Sequence, residues 1–257
     1  MKSALCYFSG AGNSKAVAHD LGSMLPLDSI LPIADVMNDP SLLEGTDTLG
    51  LVFPIYFYGP PALMKRFILE TLHALDLKLD YLFVILTHGG MPFYAASITD
   101  RLLAEAGYAA SYVSPIAMVD TYVPLFRIPD SKKQTLKHTK IAKRIEKIGK
   151  ELLEQQLKVA TRLPLSRLMH TMWDRSLELR GEKDRHFVIT DACTGCALCA
   201  RTCPVKNIAM EGGKPTFLHA CEQCFGCYHR CPEHAIALDP KPLRGYGWYT
   251  PPKSFKA

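Results

Sequence analysis

The chain has 257 residues and a mass of 28.6 kDa, a length that suits one large or two modest domains. Apolar residues make up 48% and charged residues 21%, which excludes a disordered chain and allows a sizeable core. The net charge of +5 hides an asymmetry: residues 1–130 hold 7 Lys/Arg against 13 Asp/Glu, residues 131–185 hold 15 against 7, and residues 186–257 hold 8 against 5. The uncharged stretch Thr48 to Met64 is broken by Gly50, Pro54, Gly59, Pro60 and Pro61, so no membrane span is expected. Only a short apolar run, Ala4 to Phe8, follows Met1-Lys2-Ser3. No export leader is therefore expected, and the expected location is the cytoplasm.

Residues 1–130 alternate strand-like and helix-like stretches. Strands are expected at Ala4–Phe8, Ser29–Ile33, Leu49–Phe53, Tyr81–Leu86 and Tyr112–Val119, and helices at Ser14–Met24, Ala62–Leu72 and Ala95–Ala106. Short apolar runs between helices predict an α/β fold, a doubly wound five-stranded parallel sheet covered on both faces. Such sheets bind ligands beyond the carboxyl ends of their strands, where three loops lie. Ser9-Gly10-Ala11-Gly12-Asn13-Ser14 leads into a helix and can wrap a phosphate with N–H groups and hydroxyls. Pro54-Ile55-Tyr56-Phe57-Tyr58-Gly59 carries three consecutive aromatics, at least one of them free to lie against a flat cofactor. Thr87-His88-Gly89-Gly90 supplies further N–H groups, and Asp120-Thr121-Tyr122 can close the site.

Together these loops resemble the flavodoxin family over residues 1–125. Ser9, Gly12, Asn13 and Ser14 match that family's phosphate loop, and Ala11 departs from it where a hydroxyl is usual. The resemblance implies FMN, with its phosphate on residues 9–14 and its ring between the Tyr56–Gly59 and Thr87–Gly90 loops. Tyr58 and Tyr56 are the first choices for the stacking ring. Gly59 is expected to let its carbonyl turn toward the flavin.

Residues 131–185 read as a basic helical linker. Ile141, Ile145, Ile148 and Leu152 form an apolar stripe with Leu153 and Leu157 beside it. Leu165, Leu168, Met169, Met172, Trp173, Ser176 and Leu179 suggest a second helix, ended by Gly181. Both stripes are expected to pack on the flanking domains. The lysines occupy the other faces without aromatic interleaving, so no nucleic-acid partner is expected.

Residues 186–240 hold eight of the nine cysteines. Cys193-x2-Cys196-x2-Cys199-x3-Cys203-Pro204 repeats as Cys221-x2-Cys224-x2-Cys227-x3-Cys231-Pro232, at a constant offset of 28 residues. Three thiolates two residues apart can wrap one face of an iron–sulfur cubane, and the fourth, before proline, reaches the cubane of the other half. Cys193, Cys196, Cys199 and Cys231 would hold one cluster, and Cys221, Cys224, Cys227 and Cys203 the other. Two zinc sites are the competing reading. Cys6 is expected to be a buried apolar residue, and His88, His219 and His229 structural or surface groups. The segment resembles the two-cluster ferredoxin family, a small α+β domain with two [4Fe-4S] clusters. The whole chain resembles flavodoxin–ferredoxin fusion proteins of anaerobic microbes. The tail, residues 241–257, is expected to be loose or draped over the domain.

The combination implies an electron-transfer protein with redox protein partners. Two other readings stay open: a flavin-dependent reductase of a small molecule, with His88, Tyr94 or Asp120 as proton donor, and a redox- or iron-responsive regulator.

Overall fold

A computed structural model describes residues 2–161, 163–178, 181–241 and 247–255. Strands β1 (Lys2–Tyr7), β2 (Ser29–Pro32), β3 (Thr46–Pro54), β4 (Tyr81–His88) and β5 (Tyr112–Ala117) form one sheet in the order β2-β1-β3-β4-β5. Every pairing in it is parallel. This is the flavodoxin-like order, with its switch point between β1 and β3. Successive side chains point to opposite faces, and helices cover both. Leu49, Leu51, Phe53, Val84 and Leu86 meet one core, which also takes Leu63, Phe67, Ile98 and Leu102. Leu5, Tyr7, Val52, Ile85 and Ile116 meet the other, with Val17 and Leu21. Cys6 is fully buried in the first core, and burial pushes its thiol up to about 12.

The helices of this part are α1 (Asn13–Gly22), α2 (Ile33–Asn38), α3 (Ala62–Arg66), α4 (His73–Leu75) and α5 (Ala95–Glu105). Between α3 and α4 the backbone widens into a π-helix, Phe67–Leu72, so the expected single helix is longer and less regular than its apolar spacing suggests. Tyr108 stops it: its hydroxyl donates to Leu72 O at 2.7 Å and accepts from Leu77 N at 2.9 Å. Helix α2 was not expected. It buries only Ile33 and Val36, too few apolar residues to register as a period.

Helix α6 (Ser131–Leu153) starts at Asp130, whose side chain accepts from Lys133 N. Its stripe of Ile141, Ile145, Ile148 and Leu152 lies in the second core beside α1. The basic helix is therefore a covering layer of the sheet. Gly149 permits this, because a Cβ there would sit 2.4 Å from Met24 Cε. Leu153 and Leu157 are exposed instead of joining the stripe; the helix ends, and Gln155 turns the chain away at φ 46°. Helix α7 (Ser166–Glu178) also departs from expectation. Only Trp173 is buried, while Leu165, Leu168 and Met172 face solvent. The helix leans on the sheet domain through that ring, whose Nε1 donates to Pro60 O at 3.1 Å, through partly buried Leu177, and through the Lys65–Asp174 ion pair. Leu179 lies outside the described residues.

The cysteine segment folds as two interlaced units. Strand β6 (Phe187–Ile189) pairs with β9 (Ile236–Leu238), and β7 (Ile208–Glu211) with β8 (Lys214–Phe217), both antiparallel. Short helices α8 (Leu198–Arg201) and α9 (Gly226–Arg230) carry the third cysteine of each half. A third core joins this segment to the loop after β5: Val119, Val123 and Ile128 pack with Phe225, Tyr228, Ile236 and Leu238. The segment thus shares a core with the sheet domain.

The described part of the tail is fastened. Trp248 stacks on His234 at 3.7 Å, Tyr249 is buried in the third core, and Phe255 is buried in the second. Asp20 on α1 accepts from Ser254 Oγ and, at 2.8 Å, from Phe255 N.

Candidate functional site

A cavity of about 290 Å³ opens at the carboxyl edge of the sheet, near the lower end of the ~300–1,000 Å³ common for ligand sites. Of the residues expected there, Ser9, Gly10, Ala11, Asn13, Ser14, Pro54, Ile55, Tyr56, Phe57, Tyr58, Thr87, His88, Gly89 and Gly90 line it. Gly12 and Gly59 do not, and each has another task. Gly12 takes the left-handed φ of 114° at the N-cap of α1, where no side chain caps the helix. A Cβ on Gly59 would lie 2.4 Å from Trp173 Nε1.

The first loop is tied at its ends and left open in its middle. Ser14 Oγ shares a hydrogen bond with Thr87 Oγ1 at 2.8 Å, and Asn13 Nδ2 donates to Val119 O at 3.0 Å. Ser9 Oγ and Asn13 Oδ1 are buried without a hydrogen-bond partner among the described residues. Buried polar atoms are normally paired. An orphan hydroxyl beside an uncapped helix N-terminus suits a phosphate group, so the residues present fit FMN at this end.

The aromatic loop differs from expectation in two ways. Tyr56 lines the cavity but is held within its wall. Its hydroxyl lies beside Gly10, its ring packs edge-on to Phe8, and burial with nearby Cys224 and Glu222 holds its pKa well above the usual phenol value. Nor is Gly59 the flexible point. Its carbonyl accepts from Tyr56 N at 2.8 Å, and the left-handed turn is made by Phe57 and Tyr58 at φ 49° and 74°. Tyr58, edge-on to Phe93 at 4.9 Å, and Phe57, edge-on to Tyr122 at 5.6 Å, are the rings that reach the opening.

Asp120 and His88 also line the cavity. Burial raises the Asp120 carboxyl and lowers the His88 imidazole, whose Nδ1 pairs with Gly90 O at 2.7 Å. Both groups are pushed toward their neutral forms. His219 pairs with buried Asp184, and His229 is buried with Nε2 2.9 Å from Thr121 O; both are structural. The far wall is supplied by Gln223, Cys224 and Phe225 of the cysteine segment. Gln223 and Phe225, with Leu125 and Phe126, were missed by sequence reasoning. Phe225 carried one signal: a large aromatic between two cysteines, where the first half has Ala197.

The eight thiols gather as two crossed sets. Cys193, Cys196, Cys199 and Cys231 ring a small cavity. Cys203 lies near Cys221, Cys224 and Cys227, close enough that a thiolate on it would hold their protons on. Burial pushes Cys221 up to about 12 and Cys224 to about 11, so bound cations would be needed to hold these sulfurs as thiolates. Among the described residues no three His, Cys, Asp or Glu side chains close on a single ion. A cubane instead gives each thiolate its own corner, and the open rings of sulfur fit that demand.

The local backbone explains the gathering. Left-handed residues recur at the 28-residue offset: Gly195 and Gln223, Ala197 and Phe225, Lys206 and His234. Each turns the chain around its thiols. Asn207 N donates to Cys203 Sγ and Ala235 N to Cys231 Sγ, both at 3.2 Å and again 28 residues apart. Such N–H bonds favour the anionic form of a sulfur.

Flavodoxin-like strand order, an orphaned anion loop and two crossed thiol sets together define a redox class of protein. A family model described as a 4Fe-4S dicluster domain matches residues 186–233. No curated protein matches the chain. A solved structure of a flavodoxin from the domain Archaea is similar to it at 18% identity and TM-score 0.43, over 60% of this chain and 98% of that one. The chain joins a flavodoxin-like sheet to an iron–sulfur segment of the ferredoxin kind, and that pairing supports an electron-transfer role. Among the described residues no helix is long and apolar enough to cross a membrane.

Proposed function

We propose that the protein passes electrons between redox protein partners, using two [4Fe-4S] clusters and one FMN. One cluster is held by Cys193, Cys196, Cys199 and Cys231, the other by Cys203, Cys221, Cys224 and Cys227. The FMN phosphate sits at Ser9–Ser14, and its ring system lies in the cavity beside Thr87–Gly90. When bound, the clusters supply one-electron transfer and the flavin one- or two-electron transfer, which lets the protein link carriers of different stoichiometry. The residues bind and position: Ser9 Oγ and the backbone N–H groups at the uncapped N-terminus of α1 hold the anionic end, Phe57 and Tyr58 shield the opening, and the N–H donors at Asn207 and Ala235 stabilise their sulfurs. The observation that carries this reading is the shared wall, in which Cys224 of one thiol set lines the flavin cavity.

The test is anaerobic purification with an absorbance spectrum and counts of metal, sulfide and flavin. About eight irons and eight sulfides with one FMN per chain are expected. Zinc in place of iron, or clusters without flavin, overturns it.

A second reading rests on the cavity mouth. Met91, Phe93, Leu125 and Phe126 are exposed around it, with Asp120 inside. An apolar small molecule reduced there, with Asp120 as proton donor, would make the protein a reductase. Turnover of an apolar substrate panel that falls at least tenfold in Asp120→Asn supports this reading, and no turnover sinks it.

A further inference from the structure

We propose that the two thiol sets are ranked: Cys203, Cys221, Cys224 and Cys227 form an inner set coupled to the flavin cavity across the Gly10–Cys224 contact. Cys193, Cys196, Cys199 and Cys231 form an outer set, at which an external one-electron carrier protein exchanges electrons. The inference rests on the cofactor reading above.

The contact depends on two glycines. A Cβ on Gly10 would lie 2.4 Å from Cys224 Cβ and 2.9 Å from Cys224 O, and a Cβ on Gly226 would lie 2.9 Å from Gly10 O. Backbone therefore meets a predicted ligand cysteine with no side chain between them. Sequence reasoning gives Gly10 to the phosphate loop; the structure shows that it also admits Cys224. Around this point Gln223 and Phe225 complete the cavity wall, and Glu222 accepts from Ala62 N at 3.1 Å and from Leu63 N, locking the segment to the sheet domain.

Among the described residues the outer set has no such close contact with the cavity loops. The pocket at its thiols, about 20 Å³, is lined only by residues between Ile189 and Ile236, and Thr194 and Cys196 are exposed beside it. Electron tunnelling falls steeply with distance, so a carrier protein docking at solvent reaches the outer set first, and the cavity is reached through the inner one. Each passage moves one electron. No bond forms or breaks, and the external carrier is oxidised by one electron for each electron delivered to the chain.

The test uses the holo protein under anaerobic conditions, with metal and flavin counted on the same sample. The reduced clusters give two electron paramagnetic resonance signals, recorded with FMN bound and with FMN stripped. Cys196→Ser marks the outer signal by changing its shape. Should that variant fail to assemble, Thr194→Asp marks it by shifting its potential. The expected result is that stripping FMN alters the unmarked signal and leaves the marked one unchanged. Gly10→Ala should abolish that sensitivity and slow flavin reduction at least tenfold after rapid cluster photoreduction, with cluster reduction unaffected. A marked signal that responds to FMN, equal responses of both signals, or an unaltered Gly10→Ala overturns the ranking. Missing iron or missing flavin in the counts instead overturns the cofactor reading beneath it.

Discussion

The two halves of the cysteine segment have the same ligand spacing, the same left-handed turns and matching N–H donors, yet their surroundings differ. At the 28-residue offset the second half has Glu222 for Thr194, Phe225 for Ala197, Tyr228 for Ala200 and Arg230 for Thr202. These are docking positions. Glu222 caps α3, Phe225 and Tyr228 enter the third core, and Arg230 packs over Gly226 with its Nη1 buried and without a hydrogen-bond partner among the described residues. Spacing and turn geometry set where sulfurs gather. Four non-ligand residues set which gathering faces the cavity at the sheet edge.

The comparison breaks hardest at Asp184. Its fully buried carboxylate accepts from Asn207 Nδ2 at 2.8 Å and from His219 N at 3.0 Å, and it pairs with His219 Nδ1. Asn207 in turn donates to Cys203 Sγ, and His219 stands two residues before Cys221. Asp184→Ala should cost about 3 kcal/mol by leaving buried donors unpaired. Thermal melts read that loss, and iron counts with cluster spectra should show it falling on the inner set.

Glu222→Thr makes the second half resemble the first and removes the acceptor for two backbone N–H groups of α3. It should cost about 1–2 kcal/mol. Faster amide exchange at Ala62 and Leu63, with the β6–β9 ladder unchanged, would confirm that the loss is in docking. Arg230→Thr does the same for charge. Removing a cation near Cys224 should lower the inner potential by about 60 mV, the equivalent of about 1.4 kcal/mol for one electron. Potentiometric titration should find the outer signal unmoved, and Arg230→Lys should restore most of the shift.

The smallest effect sharpens the comparison through the tail, where Trp248 stacks on His234 and Tyr249 N donates to His229 Nδ1, both partners belonging to the second half. Burial lowers the His138 imidazole, and its Nε2 lies 3.1 Å from Tyr249 Oη. A pKa lower in the folded state means that the stabilisation is present above the ordinary imidazole range and is lost as pH falls through it. Carboxypeptidase trimming of the tail should therefore quicken from pH 7.5 to pH 5.5. His138→Phe should flatten that dependence.

The five strands and the duplicated thiols were legible in the sequence because both are local patterns: short apolar runs broken by turn residues, and cysteines at fixed spacing. The three ligand loops were legible because parallel strands place their carboxyl ends on one edge. Helix α6 was legible as a helix, but its lysines gave it the composition of a linker. Its membership of the sheet domain depends on Ile141, Ile145, Ile148 and Leu152 meeting α1, a contact between residues more than a hundred positions apart. The apolar spacing of α7 likewise predicted a buried stripe, and among the described residues of the helix only Trp173 is buried.

By itself the sequence determined the class of each half and the likeness of the two thiol runs, since spacing along the chain dictates which backbone turns and which ligand sets can form. Only the tertiary structure decided that Gly10 meets Cys224, that Tyr56 packs edge-on to Phe8 with its hydroxyl beside Gly10, and that Gln223, Cys224 and Phe225 of the second half wall the cavity. Those facts come from docking two surfaces remote in sequence, whose shapes depend on every layer packed beneath them.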